Sequence, residues 1–420
     1  MNLKSKLSNA INLAKNNKKV IENYFFMTVL QILNSFFYLL IYPYLIRVFG
    51  AETYGLFVFA TSVSLYFSFL VNFGFDLPAT KELVENLDNK HKVNEILSRV
   101  FYSKFILLLV SLIIFVVLSL IVPIIRDNFW IFFVCFLQVF SSIIFPQWYF
   151  QAIQNMRIVT FIQLFFKVLS LPLIFVLLRS KDDLLIYAGI VTGSSILGGV
   201  VAFFILIVKY KIQFLKITVN SIFNGFKNAL PFFISLSAGT IKEQSIPLLI
   251  GTFFGMKEVA IFDLANKLII IPRTIFASLN SAIFPIMVKD IQILKIRKIL
   301  KAEYILSLIV ILSIIIIGKF AIEILGGEEM SSAYYVAIFL SFTVASWLIV
   351  GAYLNFVFIP NNKFYVVSKN QLLALTSFFV YSFFGILMYK SIVIFAIAIA
   401  LSAITEIIYC HLLTKKYKLI

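Results

Sequence analysis

The chain has 420 residues, of which 61% are hydrophobic and only 13% are charged, and its formal net charge is +17 at pH 7. Soluble domains are about 45–50% apolar and about 25% charged, so this composition excludes a soluble enzyme. The 48 Phe and 19 Tyr are spread along the whole length, and apolar runs recur at intervals of roughly thirty residues. The sequence therefore predicts an all-α, polytopic membrane protein.

Residues 1–23 form a basic arm ahead of the first apolar run. They contain five lysines but no apolar core and cleavage site of the kind found in signal peptides, so we expect the arm to be retained. Leu3, Leu7 and Ile11 fall on one helical face opposite Lys4, a pattern typical of a helix lying in the membrane interface. A solvated tail is the alternative.

Twelve segments are long and apolar enough to cross a bilayer, which requires about 20 residues each. We place them at 24–46, 54–76, 101–124, 128–150, 158–178, 184–208, 228–250, 258–282, 303–325, 333–358, 365–388 and 391–413. Six belong to an N-terminal lobe at 24–211 and six to a C-terminal lobe at 212–420. The intervening segments are too short for an extramembrane domain, so we expect the activity to lie within the bilayer.

The distribution of Lys and Arg predicts the orientation of these spans. With a cytoplasmic N-terminus, 25 of the 36 basic residues fall in inside segments and seven in outside loops. This bias predicts that both termini are cytoplasmic. The high net charge therefore reflects topology and not nucleic-acid binding, and the basic loops are expected to attract anionic lipid headgroups.

The two halves of the sequence resemble each other weakly. Residues 43–57, at the junction of the first two spans, match residues 247–262, and the turn glycines Gly50 and Gly255 correspond. A second match, at an offset of 206 residues, relates the ends of the fourth and tenth spans. Because each half crosses the membrane six times, the repeats are parallel and are expected to enclose a central cleft. Chance similarity between apolar segments is the alternative.

Four spans carry polar side chains on a single helical face, because the spacings are three, four or seven residues. These side chains are Tyr24, Thr28, Gln31, Ser35, Tyr38 and Tyr42 in the first span, Thr61, Ser64, Ser68, Asn72 and Asp76 in the second, Thr160, Gln163, Lys167 and Ser170 in the fifth, and Asn266, Arg273 and Asn280 in the eighth. A lipid-facing surface would not carry them, so they predict a water-filled pathway. Helix packing through small polar residues is the alternative.

Charged residues inside spans are costly and usually face a cavity or one another. The set comprises Lys167, Lys242, Glu243, Asp263, Lys267, Arg273 and Glu406, with Asp76 at the predicted cytoplasmic edge. Asp263 and Lys267 are four residues apart with the acid first, the favourable order for an ion pair. We expect these two to form a structural bridge.

Lys242, Lys167 and Arg273 have no partner nearby in the sequence. Together with Lys267 they are candidates for binding an anion, and phosphate or pyrophosphate is the common biological ligand of such cations. The alternative is proton or sodium coupling through Asp76, Glu243 or Glu406. Asp263, Asn72 and Gln31 complete the candidate polar lining of the cavity. The sequence holds none of the common metal, nucleotide or nucleophile motifs, so we predict no catalytic residue, metal or cofactor.

Three segments resemble the bacterial polysaccharide transporter family. They are residues 42–55, with Tyr42, Pro43 and Gly50, residues 72–81 and residues 147–157. These proteins are O-antigen or lipid-linked repeat-unit flippases, related to the multidrug and toxic compound extrusion transporters. The sequence departs from the family's pattern at Lys81, where arginine is frequent, and at Ala152, where glycine is frequent.

The resemblance implies a fold of two parallel six-helix lobes around a cationic central cavity. It also implies transport of an undecaprenyl-pyrophosphate-linked oligosaccharide from the cytoplasmic to the periplasmic leaflet of the bacterial inner membrane, by alternating access. A polysaccharide polymerase and a chain-length regulator are then candidate partners. A cation-coupled multidrug exporter is the alternative, whereas a polymerase or ligase would need longer extracytoplasmic loops.

Overall fold

The computed structural model describes residues 18–289, 293–361, 363–417 and 419, and it is α-helical, with no strand in these ranges. Most of the arm predicted at 1–23 therefore lies outside the described residues. The first helix begins at Lys18, ahead of the first predicted span.

The helices of the N-terminal half are α1 (Lys18–Asn72), α2 (Asp76–Glu85), α3 (Lys90–Ile121), α4 (Pro123–Asp127), α5 (Phe129–Ile144), α6 (Gln147–Ala152), α7 (Met156–Leu177) and α8 (Leu184–Val208), with a 3-10 turn at Lys181–Asp183. Those of the C-terminal half are α9 (Val219–Phe254), α10 (Met256–Lys289), α11 (Ile293–Gly326), α12 (Ala333–Ala352), α13 (Phe364–Met388) and α14 (Val393–Lys416), with a 3-10 turn at Glu328–Met330 and a π-helical segment at Tyr353–Phe358.

The observed helices can be compared with the twelve predicted membrane spans. Nine helical segments among the described residues are long and apolar enough to cross a membrane, and the first of them contains two spans separated by a break at Gly50. The remaining spans are α9 and α10, which carry most of the charged residues that the sequence places inside spans. They have 36 and 34 residues, so each is about 50 Å long at about 1.5 Å per residue. The prediction of an all-α membrane protein with about twelve spans in two lobes is confirmed.

The helix boundaries differ from the predicted spans in two ways. The third, seventh and ninth spans begin earlier than expected, at Lys90, Val219 and Ile293, because a hydropathy window detects only the apolar part of a helix. The second span ends at Asn72, since Phe73 and Gly74 have φ values of 42° and 68°. Asp76 therefore starts a separate helix, and the polar stripe predicted from 61 to 76 does not lie on one continuous helix.

The two halves share the same backbone irregularities. Gly50 (φ 73°, ψ 166°) and Gly255 (φ 99°, ψ 172°) interrupt the helix at corresponding corners, in a conformation that suits glycine because it lacks a Cβ. The short helix α6 at 147–152 and the π-helical segment at 353–358 are also 206 residues apart. This is the offset at which the sequence of the two halves matches.

The two halves meet closely at the glycine corners. A Cβ added at Gly55 would lie 1.8 Å from the carbonyl oxygen of Met256, so the two backbones are in contact there. Nearby, the buried Tyr42 hydroxyl donates a hydrogen bond to the carbonyl oxygen of Ala260 at 3.1 Å. Helix α1 is thereby packed directly on α10, and a cavity lies beside this contact.

Candidate functional site

A cavity of about 710 Å³ lies between the halves, with walls from α1, α9, α10, α12, α13 and α14. Its charged lining residues are Lys242, Glu243, Asp263, Lys267, Arg273 and Glu406. These are six of the eight charged residues that the sequence places in or at the edge of spans. The fold therefore brings charges from α9, α10 and α14 into one chamber with three cations and three carboxylates.

Lys242 of α9 is paired with Glu406 of α14. Its ammonium nitrogen lies 3.1 Å from Glu406 Oε1 and 3.2 Å from Ser402 Oγ, while Asn370 Nδ2 donates to Glu406 Oε2 at 3.1 Å. The Lys242 and Glu406 side chains are only 16% and 11% exposed. Lys242 has no partner nearby in the sequence, but interhelical packing provides one.

Arg273 of α10 is likewise paired, with Glu243 of α9. The guanidinium Nη2 donates to Glu243 Oε1 at 2.9 Å, and its carbon lies 3.3 Å from the centre of the Trp347 ring on α12. Contact with an aromatic face stabilises a cation through the ring quadrupole. Trp347 is not predictable from the sequence, because nothing in its local pattern relates it to a residue on another helix.

The predicted pair Asp263–Lys267 forms, and it includes a residue from the other half. Lys267 donates to Asp263 Oδ2 and to the hydroxyl of Tyr54, the latter at 2.9 Å, and the Tyr54 hydroxyl is itself 3.1 Å from Asp263 Oδ2. The Lys267 nitrogen also lies 5.1–5.5 Å from the ring centres of Tyr38, Tyr42 and Tyr54. The ion pair thus connects α10 to α1 across the interface between the halves.

Lys167 is placed outside the lining of this cavity. Its nitrogen donates to Asn34 Oδ1 at 2.7 Å and lies 4.6 Å from the centre of the Tyr38 ring. Tyr38 does line the cavity, so the same ring lies near Lys167 and Lys267. Lys167 has no partner nearby in the sequence, but α1 provides an amide oxygen and an aromatic face.

Asn72 and Asp76 are also outside the lining of the central cavity. Both accept a hydrogen bond from Lys104 of α3, each at 2.8 Å, and the Lys104 side chain is only 3% exposed. Lys104 is one of the 25 basic residues assigned to the predicted inside segments, but it lies within the third predicted span and is buried beside Asp76. Gln31 is exposed and does not line the cavity either.

The polar faces of the spans reach the cavity only in part. Thr61 and Ser62 line it, but their hydroxyls donate to carbonyl oxygens one turn back in α1, at 2.8 and 2.9 Å. Asn266 lines it as well, whereas the side chain of Asn280 lies outside the described residues. Much of the predicted stripe is therefore satisfied by its own helix, as hydroxyls in apolar helices commonly are.

Within the described ranges, no group of three or more His, Cys, Asp or Glu side chains could hold a metal ion. Each of the three cations in the chamber is paired with a carboxylate.

Residues 20–290 match a family described as polysaccharide biosynthesis protein. The chain belongs to this family. A relative from Escherichia coli (strain K12), named as a candidate O-antigen transporter, is 27% identical over 263 residues. That comparison covers 63% of this chain and 63% of the relative, so it spans less than two thirds of the relative's length.

Two solved structures show the same fold. The lipid II flippase MurJ in an inward closed conformation superposes with a TM-score of 0.70 at 12% identity, covering 94% of this chain and 86% of MurJ. An inward-facing multidrug resistance transporter of the MATE family and MOP superfamily gives a TM-score of 0.64 at 11% identity, covering 93% and 99%. The two-lobe architecture is therefore that of known membrane transporters.

Proposed function

We propose that this protein is a flippase for a lipid-linked oligosaccharide, carrying an undecaprenyl-pyrophosphate-linked repeat unit between the leaflets of the bacterial inner membrane. The observation that supports this most strongly is the chamber between the halves, in which Lys242, Lys267 and Arg273 are each held by a carboxylate. Family membership and the name of the Escherichia coli relative support the same substrate class.

In this proposal the pyrophosphate enters the chamber and replaces the carboxylates as the hydrogen-bond partner of the cations. Arginine and lysine form charge-assisted hydrogen bonds with phosphate oxygens as readily as with carboxylates. The oligosaccharide occupies the polar and aromatic lining beside Tyr38 and Trp347, and the prenyl chain stays in lipid between the lobes. Movement of the lobes then exposes the chamber to the other leaflet.

Proton binding is one way in which the chamber could release its cations from their carboxylate partners. A proton on Glu406 or Glu243 would weaken the attraction for Lys242 or Arg273, and these cations would then be free to bind the incoming anion. Sodium bound by the same carboxylates is the other form of coupling. In either case the carboxylates alternate between a cation of the protein and a cation from solution.

A cation-coupled multidrug exporter is the second candidate, favoured by the three acids in the chamber. Such an exporter needs a carboxylate available to an organic cation. Here Glu243, Asp263 and Glu406 each already face a cation of the protein, so the chamber has no surplus negative charge. The chamber therefore offers no free carboxylate to an organic cation.

Deletion and complementation in the host bacterium would test the proposal. We expect deletion of the gene to remove the surface polysaccharide and to cause lipid-linked repeat units to accumulate, and plasmid-borne protein to restore both. Ethidium efflux in the same strains should be unchanged. Loss of efflux with normal surface polysaccharide would instead identify a multidrug exporter.

A further inference from the structure

A second cavity, of about 860 Å³, lies between α11, the π-helical segment and α14. It shares no lining residue with the central cavity. Its lining includes the basic residues Arg297, Lys301 and Lys415, near the start of α11 and the end of α14, and is mainly apolar along the rest. We refer to it as the α11–α14 groove.

One face of α11 changes from basic to apolar along the groove. Arg297 and Lys301 are one turn apart, and Tyr304, Ile305 and Leu308 continue the same face. These last three side chains are 45–55% exposed, so the apolar part opens toward the surroundings of the helix bundle. Cations followed by a tyrosine and then by aliphatic residues are typical of the boundary between headgroups and hydrocarbon.

The groove cations have no protein partner in the part of the chain that the structure describes. The ion pairs found there do not include Arg297, Lys301 or Lys415. Tyr353 is buried and lines the groove, and its hydroxyl is 3.1 Å from Nδ1 of His411. The groove cations therefore line an open site, in contrast to the paired cations of the central cavity.

We propose that the α11–α14 groove binds an anionic phospholipid. The phosphate lies against Arg297, Lys301 and Lys415, and an acyl chain follows Ile305 and Leu308. Charge complementarity supports this occupant, because these residues belong to segments predicted to be cytoplasmic, where the leaflet is rich in anionic lipid. The apolar length of the groove distinguishes a lipid from free phosphate, which would leave it uncovered.

Native mass spectrometry of the purified protein tests this proposal. Phosphatidylglycerol and phosphatidylcholine with identical chains are compared on wild type and on the triple variant Arg297→Gln, Lys301→Gln, Lys415→Gln. A basic residue at a membrane surface contributes about fivefold to the binding of acidic lipid, so we expect the triple variant to bind phosphatidylglycerol about a hundredfold more weakly. Wild type should prefer phosphatidylglycerol.

The matched control is the triple variant Lys211→Gln, Lys216→Gln, Lys227→Gln, which removes three exposed lysines also predicted to be cytoplasmic. It should retain wild-type binding. Equal losses in both triple variants, or equal binding of phosphatidylcholine, would overturn the proposal, since attraction would then be diffuse or independent of charge.

A second variant, Leu308→Trp, fills the apolar part without changing charge. We expect it to weaken phosphatidylglycerol binding while leaving binding of inorganic phosphate unchanged. Unaltered lipid binding in Leu308→Trp would show that only the phosphate is recognised, which contradicts the proposal. Stronger binding of undecaprenyl phosphate than of phosphatidylglycerol, lost in the groove triple variant, would assign the groove to a prenyl lipid and also overturn it.

Discussion

The Lys242–Glu406 ion pair holds two charges in a chamber with largely apolar walls. Removing one member of a buried pair leaves the other charge without compensation, which costs about 3–5 kcal/mol. Removing both members avoids that cost. The pair therefore allows a stability effect to be separated from an effect on transport.

We predict that Lys242→Met and Glu406→Gln each lower the amount of protein in the membrane, and that the double variant recovers it. Surface polysaccharide should stay low in the double variant, because the cation that we propose binds the substrate is absent. Immunoblotting of membranes alongside a polysaccharide assay would measure both quantities.

The control for this pair is Lys319 with Glu323, an exposed pair whose side chains are 69% and 46% accessible. Exposed ion pairs contribute about 0–1 kcal/mol, so Lys319→Met and Glu323→Gln should change neither abundance nor transport. Full transport in the Lys242→Met, Glu406→Gln double variant would contradict the role of Lys242 in binding the substrate.

Asp263 and Lys267 allow a charge-swap experiment. Each of Asp263→Lys and Lys267→Asp leaves like charges side by side, so we predict low abundance for either single variant. The double swap restores the pair with its order along the helix reversed, which weakens it only slightly, and abundance should return. The swap keeps one cation in the chamber, so transport should return as well, whereas abundance without transport would show that the cation must stand at position 267.

The close approach of the backbones at Gly55 and Met256 can be tested by adding a side chain at Gly55. A valine there would place its Cβ against the carbonyl oxygen of Met256, so the corners of the halves could not close as they do in this structure. We predict that Gly55→Val is inserted normally but loses transport. Gly193→Ala is the control, because an added Cβ there meets nothing within 4 Å.

Cysteine labelling would show whether the corner has opened. Both native cysteines, Cys135 and Cys410, are buried. A cysteine introduced at the cavity residue Thr61 should therefore account for most of the maleimide labelling. We expect a membrane-impermeant maleimide added from outside to label Thr61→Cys more strongly in the Gly55→Val background. Equal labelling in both backgrounds would mean that this corner does not close the chamber.

The charge bias across the loops predicts the orientation of the protein in the membrane. Reporter fusions at Lys181 and Lys319 should read as periplasmic, and fusions at Lys216 and Lys298 as cytoplasmic, because cytoplasmic loops retain Lys and Arg. An alkaline phosphatase and green fluorescent protein pair would measure this. The opposite pattern at any of the four positions would require a different span count.

Much of the fold follows from the sequence because its causes are local. Apolar length predicts the spans, and the corresponding glycines Gly50 and Gly255 predict the repeat. The i,i+4 spacing predicts the Asp263–Lys267 pair. These features depend on neighbouring residues or on composition, which a single chain displays directly.

The partners of the charged residues could not be predicted in the same way. Glu406 lies 164 residues from Lys242, and the burial of Lys104 beside Asp76 depends on how α3 packs on the end of α1 and the start of α2. Tyr54 and Trp347 contact cations of other helices without any pattern in their own segments. Helix rotation and tilt decide these contacts, and both are set by packing of the complete bundle.

The balance of three cations and three carboxylates in the chamber has an electrical consequence. An empty chamber with no proton or sodium ion bound has no net charge, so it can reorient without moving charge through the membrane field, and that return step would be insensitive to voltage. In the proposed function a bound pyrophosphate adds negative charge, and each elementary charge crossing 100 mV contributes about 2.3 kcal/mol. In a cell that is negative inside, the membrane potential would then drive outward movement of the loaded carrier and leave the empty carrier free to return.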